Sequence, residues 1–425
     1  MNQLASQNAP SPLVVVPHYI FGGVTLLFVT ILLILNPSAF TQHYFNPTLL
    51  AITHLLALGW MSMIIFGALY QLIPVILEVK LFSEKLAFYS FALMGTGIIL
   101  LAYSFWHFSF GSAMVFSGII IVLAVLFFVI NVLVTASMSD KKNMEKVFII
   151  TSAIWLLFTV LAGLILALNF TRSFLLPTHI ELLKLHAHAG IVGWFLQLII
   201  GVSSRLLPMF MVSHGLNTKK LTFAYFLINS GLIMGLISIY HSFQLGVIIG
   251  VITGVLGAFT YLSFLFEAYK KRIKKQLDIG MKQSALSFIF LVVPLFLIFI
   301  LLWDFKALEH LTPPLSIAYG SFIFFGFITS LIMGQTYKTL PFIMWLKVYR
   351  GKIGKLKLPL PKDLYSEKIA ITQVWFFATG FLLLLVGILT TIKAIVMISG
   401  ITLFLSVALY NLNIFKIILH QPKKI

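Results

Sequence analysis

Apolar residues run through this chain in long unbroken stretches, and polar residues gather in the short breaks between them. Twelve such stretches recur, at about 14–36, 50–76, 86–106, 112–137, 147–169, 184–210, 221–241, 245–269, 284–303, 314–346, 369–391 and 394–419. Each is long enough to cross a bilayer as a helix. The strict apolar–polar alternation of a membrane barrel is absent. Lipid offers an unpaired backbone no hydrogen-bond partner, so the stretches must be helical. The pattern predicts an all-α membrane protein of twelve transmembrane helices forming one domain over residues 1–425.

An internal repeat lies inside this pattern. The stretch from His54, HLLALGWMSMIIFGALYQLIP, matches the stretch from His188, HAGIVGWFLQLIIGVSSRLLP. Counted from each histidine, glycine stands at +5 (Gly59, Gly193) and +13 (Gly67, Gly201), tryptophan at +6 (Trp60, Trp194) and proline at +20 (Pro74, Pro208). A third copy starts at Ser321, SFIFFGFITSLIMGQTYKTLP, keeping Gly326, Gly334 and Pro341 with Phe327 for tryptophan. The copies begin 134 and 133 residues apart, from position 54 to 188 to 321. Four helices fit in each interval, so the copies share one orientation. The expected architecture is three parallel four-helix repeats, at about 1–145, 146–280 and 281–425. Positions +6, +13 and +20 form one stripe on a regular helix, where glycine lets a neighbour approach. The histidine lies about 120–160° from that stripe at 100° per residue. A second pair, His107 and His241, lies 53 residues after His54 and His188.

Composition sharpens the class. The mean hydropathy is +1.06, only 9% of residues are charged, and the net charge is +18. With the N-terminus placed inside, Arg172, Lys184, Lys306 and Lys393 fall outside and Arg205 falls within a helix. The other 24 of the 29 Lys and Arg fall inside. This asymmetry is the positive-inside pattern. It predicts both termini in the cytoplasm and an inner (plasma) membrane location, with the lipid bilayer rather than nucleic acid as the partner of the charge. The absence of cysteine excludes disulfides, thiolate metal sites, iron–sulfur clusters and covalently attached haem. The polar start, MNQLASQNAPSP, lacks the basic segment of a cleaved leader.

Histidine carries the candidate chemistry. On this topology His43, His54, His107, His179, His186, His188, His241 and His310 lie toward the outer side, and His18, His214 and His420 toward the inner. Intramembrane histidines usually face the bundle interior and mark a site. Neutral imidazoles are ligands of haem iron and copper. The repeat singles out His54 and His188 as metal ligands, with His107, His186 and His241 as further candidates. His43, His179, His214 and His310 read as ordinary interfacial residues. His186 and His188 project about 200° apart on one helix, so one ion cannot take both. Arg172 and Lys184 precede that helix and are candidate partners for haem propionates, besides anchoring the interface.

Twelve helices in three parallel groups, with histidines near the outer ends of helices two and six, resemble subunit I of the haem–copper oxidase superfamily. The string THLLALGWMSMIIFGALYQLIP is similar to helix two of its cbb3-type and nitric-oxide-reductase-like members, and LHAHAGIVGW with SSRLLPMFMVSHG resembles the NnrS family. The resemblance implies His54 as an axial ligand of low-spin haem and His188 as a copper ligand. The departures are as clear. Helix seven, LTFAYFLINSGLIMGLISIYH, lacks the family's His-His pair, and helix ten reads AYGSFIFFGF where the family has His-x-His. The central spans carry no Asp or Glu to relay protons. Conventional cytochrome c oxidase activity is therefore not expected, and the residues leave open whether the chain is a divergent oxidoreductase or has no catalysis.

The leading expectation is a haem b protein for electron transfer or nitric-oxide handling, with an electron donor or a small gas ligand as partner. A copper-handling protein is the first alternative, since Met61, Met63, Met209 and Met211 accompany the histidines. A transporter is the second, although the three-by-four division differs from the two halves of six in common twelve-helix transporters, and no broken substrate-binding helix is evident.

Overall fold

The structure is a computed structural model that describes residues 9–109, 111–175, 177–303, 310–350 and 358–422. Lys306, counted among the outer cations, lies outside these residues. So does 351–357 of the basic loop before the eleventh helix. Among the described residues, twelve helices are long and apolar enough to cross a membrane. They are α1 Pro12–Leu35, α2 Pro47–Leu77, α3 Glu84–Trp106, α4 Ser112–Ser137, α5 Met144–Arg172, α6 His179–Met211, α7 Lys219–Tyr240, α8 Gln244–Lys270, α9 Ile279–Leu302, α10 Thr312–Tyr349, α11 Glu367–Thr390 and α12 Lys393–Ile418.

All twelve expected spans are present, and several begin earlier than hydropathy placed them. Polar caps explain the difference. Asn143 accepts from the Lys146 amide at the start of α5, and Asp278 from the Met281 amide at the start of α9. The α6 start is a capping box. Thr178 accepts from the Glu181 amide, and Glu181 accepts from the Thr178 amide. These residues are too polar to belong to an apolar window, yet they satisfy the first free amides of the helix.

The three repeat helices are central. The most apolar windows of α2, α6 and α10 are 78%, 72% and 67% buried, and no other helix exceeds 56%. The other nine pack around them, with α12 closing against α1. There the Asn411 side chain donates to the Gly23 carbonyl, 3.0 Å away. The side of the bundle where α1 begins and α12 ends is called here the terminal side, and the opposite one the far side.

Glycine at +13 does what its position requires. A Cβ on Gly67 would lie 2.6 Å from His18 Cβ of α1, one on Gly201 2.8 Å from Phe148 Cβ of α5, and one on Gly334 2.6 Å from the Gly280 carbonyl of α9. In all three cases the glycine lets the helix just before it in the chain approach closely.

The repeat helices are not uniformly α-helical. Leu55–Ser62 in α2, Ala189–Leu196 in α6 and Phe322–Thr329 in α10 are π-helical. Each segment begins one residue after the copy's first position, His54, His188 or Ser321. The projection at 100° per residue therefore fails across +1 to +8, and the angle expected between histidine and glycine stripe does not apply. Such wide turns commonly accompany functional sites.

Two bonds tie the central helices together at the same offsets. Trp60 donates its indole N–H to Thr329 at 3.0 Å, and Trp194 donates to Ser62 at 3.2 Å. In both, the tryptophan at +6 of one copy reaches a hydroxyl at +8 of another, from α2 to α10 and from α6 to α2. The remaining position of this cycle holds Phe327 and Leu196, both buried and apolar.

Candidate functional site

Three histidines gather just on the far side of the π-helical segments. His54 and His188 are the last α-helical residues before the winding changes in α2 and α6, and His186 lies half a turn earlier in α6. Each ring is fixed through Nδ1. His54 Nδ1 pairs with the Leu50 carbonyl at 2.8 Å and His188 Nδ1 with the Lys184 carbonyl at 2.8 Å, each four residues back. His186 Nδ1 reaches across to the Thr159 carbonyl of α5 at 3.0 Å. A carbonyl can only accept, so each Nδ1 carries the proton and each Nε2 keeps its lone pair. Among the described residues no Nε2 of the three makes a hydrogen bond. This is the tautomer of a histidine metal ligand, with the carbonyl as its orienting partner.

The rings pair between copies. The ring centres of His54 and His186 are 6.3 Å apart with planes 19° from parallel. Two metal–nitrogen bonds of about 2.1 Å, with the half-width of an imidazole added at each end, set two ring centres roughly 6.4 Å apart across one ion. Room for the His186 ring comes from Gly163 of α5, where a Cβ would lie 2.9 Å from His186 Cε1. Phe105 of α3 stacks on His54 at 4.7 Å. A second pair stands in the same relation: His188 and Tyr319 of α10 have ring centres 6.3 Å apart with planes at 33°. His54 and His188 both occupy the first position of their copies, and His186 and Tyr319 both lie two residues before it. The third such pair is Ile52 with Ser321, which has no ligand of this kind.

The remaining candidates lie apart from the pairs. His107 and His241 are exposed at the ends of α3 and α7, where His107 meets Tyr103 at a tilt of 50° and His241 meets Tyr240 edge to face. They do share a local geometry: each caps its helix and is followed by a residue of positive φ, Phe108 at 50° and Ser242 at 54°. Arg172 and Lys184 are exposed on the far side, and Lys184 contributes its carbonyl to His188. His43 accepts from the Phe45 amide, and His179 stacks on Phe170 at 4.4 Å. His214 and His310 are exposed. His18 is 1% exposed against Tyr70 and Phe91 on the terminal side.

Sequence reading missed Tyr319, Thr159, Ser62 and Thr329. Tyr319 and Ser62 with Thr329 were detectable as offsets −2 and +8 of the repeat. Thr159 was not, because a backbone carbonyl on another helix leaves no trace in side-chain type. Among the described residues no three His, Asp or Glu side chains converge to hold a metal ion. No known family model matches the chain, and no curated protein matches it.

Proposed function

We propose that this chain is a haem b-binding membrane protein for electron transfer and nitric-oxide handling, built as three parallel four-helix repeats in the manner of haem–copper oxidase subunit I. The observation that carries the reading is the His54–His186 pair, two imidazoles anchored through Nδ1 whose ring centres lie 6.3 Å apart, close to the spacing of two rings that share one ion. Haem supplies four of the iron's ligands itself, so two protein ligands suffice. Copper held by protein alone calls for a larger convergent set. The repeat architecture draws support from the π-helical segments, the tryptophan bonds and the ring pairs, which recur at equal offsets.

In this reading His54 and His186 would hold the haem iron, and a haem held by two histidines would supply electron transfer rather than gas binding. The Leu50 and Thr159 carbonyls hold the two rings in the ligating tautomer. The His188–Tyr319 pair differs. A phenol oxygen reaches further from its ring centre than an imidazole nitrogen does. At the same 6.3 Å separation no ion fits in line between the two groups. His188 would hold a second haem, with the Tyr319 ring beside it. A haem held by one histidine would supply nitric-oxide binding. Arg172 and Lys184 would pair with the haem propionates on the far side, which is the non-cytoplasmic one by the charge pattern.

The test is an absorption spectrum of detergent-purified protein, oxidised and then reduced with dithionite. The expected result is a haem b spectrum whose low-spin component disappears in both His54→Ala and His186→Ala. A colourless protein from haem-replete cells, or haem retained unchanged in both variants, overturns the proposal.

A further inference from the structure

On the bundle axis, immediately to the terminal side of the two tryptophan bonds, lies a cavity of about 100 Å³. Ile64, Ala68 and Leu69 of α2, Leu198 and Val202 of α6, and Leu331 of α10 give its apolar lining. Its size would admit water, whose share of liquid volume is about 30 Å³. Its chemistry does not favour water. The Tyr19 hydroxyl pairs with Thr339, and Thr339 donates to the Gln335 carbonyl. Thr336 donates to the Ile332 carbonyl and accepts from Tyr410. Ser203 donates to the Ile199 carbonyl and pairs with Tyr261. The Gln335 amide N–H donates to Ser284. One acceptor on the wall, Gln335 Oε1, is left without a partner. The hydroxyl protons on the wall are spent on these partners, so a water there would find acceptors but few donors, and a mostly apolar lining of this kind suits an apolar guest.

We infer that this axial cavity is a binding site for a small apolar gas molecule of diatomic size. That the natural guest is nitric oxide rests on the function proposed above; the capacity to bind does not. A gas held there sits at the junction of α2, α6 and α10, the helices that carry His54, His188 and Tyr319.

The test uses xenon as the probe on the full chain, located by diffraction from pressurised crystals and quantified by xenon NMR in detergent. The expected result is one xenon within this lining. Its occupancy falls at least tenfold in Ala68→Phe and in Val202→Phe, which fill the space from two different helices, and is unchanged in His54→Ala. Ordered water in the cavity, no xenon there, or xenon binding that survives both filling substitutions overturns the inference. Because xenon binding needs no haem, a failed haem assignment leaves this experiment fully decisive.

Discussion

At the scale of the residue, the best-defined charge in the molecule is Asp278. It caps α9 and meets Lys338 of α10 at 2.7 Å and Lys274 at 3.0 Å. Partial burial pushes its carboxyl up, and the two ammonium groups with the Met281 amide more than reverse this, so its pKa ends below the ordinary carboxylate value. A depressed carboxylate stabilises the fold above its unfolded pKa of about 3.9, and that stability is lost as pH falls through the folded value. Wild-type protein should therefore lose more thermal stability than Asp278→Asn between pH 6 and pH 3, by at most about 1 kcal/mol given solvent screening. Equal losses in a detergent melt would remove the α9–α10 ion pair from the account. The histidine tautomers belong to the same scale. Their identities were plain in the sequence, but the carbonyls of Leu50, Thr159 and Lys184 that orient them were not.

At the scale of the element, hydropathy and the glycine offsets made the helices and their close approaches legible, while the polar caps that start several helices fell outside the apolar windows. The winding was not legible. A π-helical segment spends the same apolar residues as an α-helical one, and only the pairing of backbone groups distinguishes them. That pairing sets where His54 points. Deleting one residue, Leu58, should return the segment toward α winding and change the direction of His54 relative to the rest of α2. The expected result is loss of the low-spin haem signal with helix content unchanged by circular dichroism. A retained signal would show that the winding does not aim the histidine. The partnership of His54 with His186, rather than with His188, is also an interhelical fact that no single-helix projection contains.

At the scale of the whole molecule, the charge asymmetry across the twelve spans predicts which side of the bundle faces the cytoplasm. The chain has no cysteine, so single introduced cysteines report without background. In intact cells a membrane-impermeant thiol reagent should label Ser242→Cys, in the turn between α7 and α8 on the far side, and should not label Asp140→Cys, between α4 and α5 on the terminal side. The reverse pattern would invert the assigned orientation. The far side would then be the cytoplasmic one, and the histidine pairs would face the reducing compartment.

The two tryptophan bonds also say something about time. A chain is made from its N-terminus onward. Trp194 can find Ser62 as soon as α6 enters the membrane, but Trp60 must wait for Thr329 on α10, and the Gly23 carbonyl of α1 waits longer still for Asn411 on α12. The first third of the protein is therefore finished only by the last third. A ribosome product that stops after α8 would leave a buried indole N–H without its partner in hydrocarbon. Such a truncated chain advertises its own incompleteness to the machinery that clears unassembled membrane proteins.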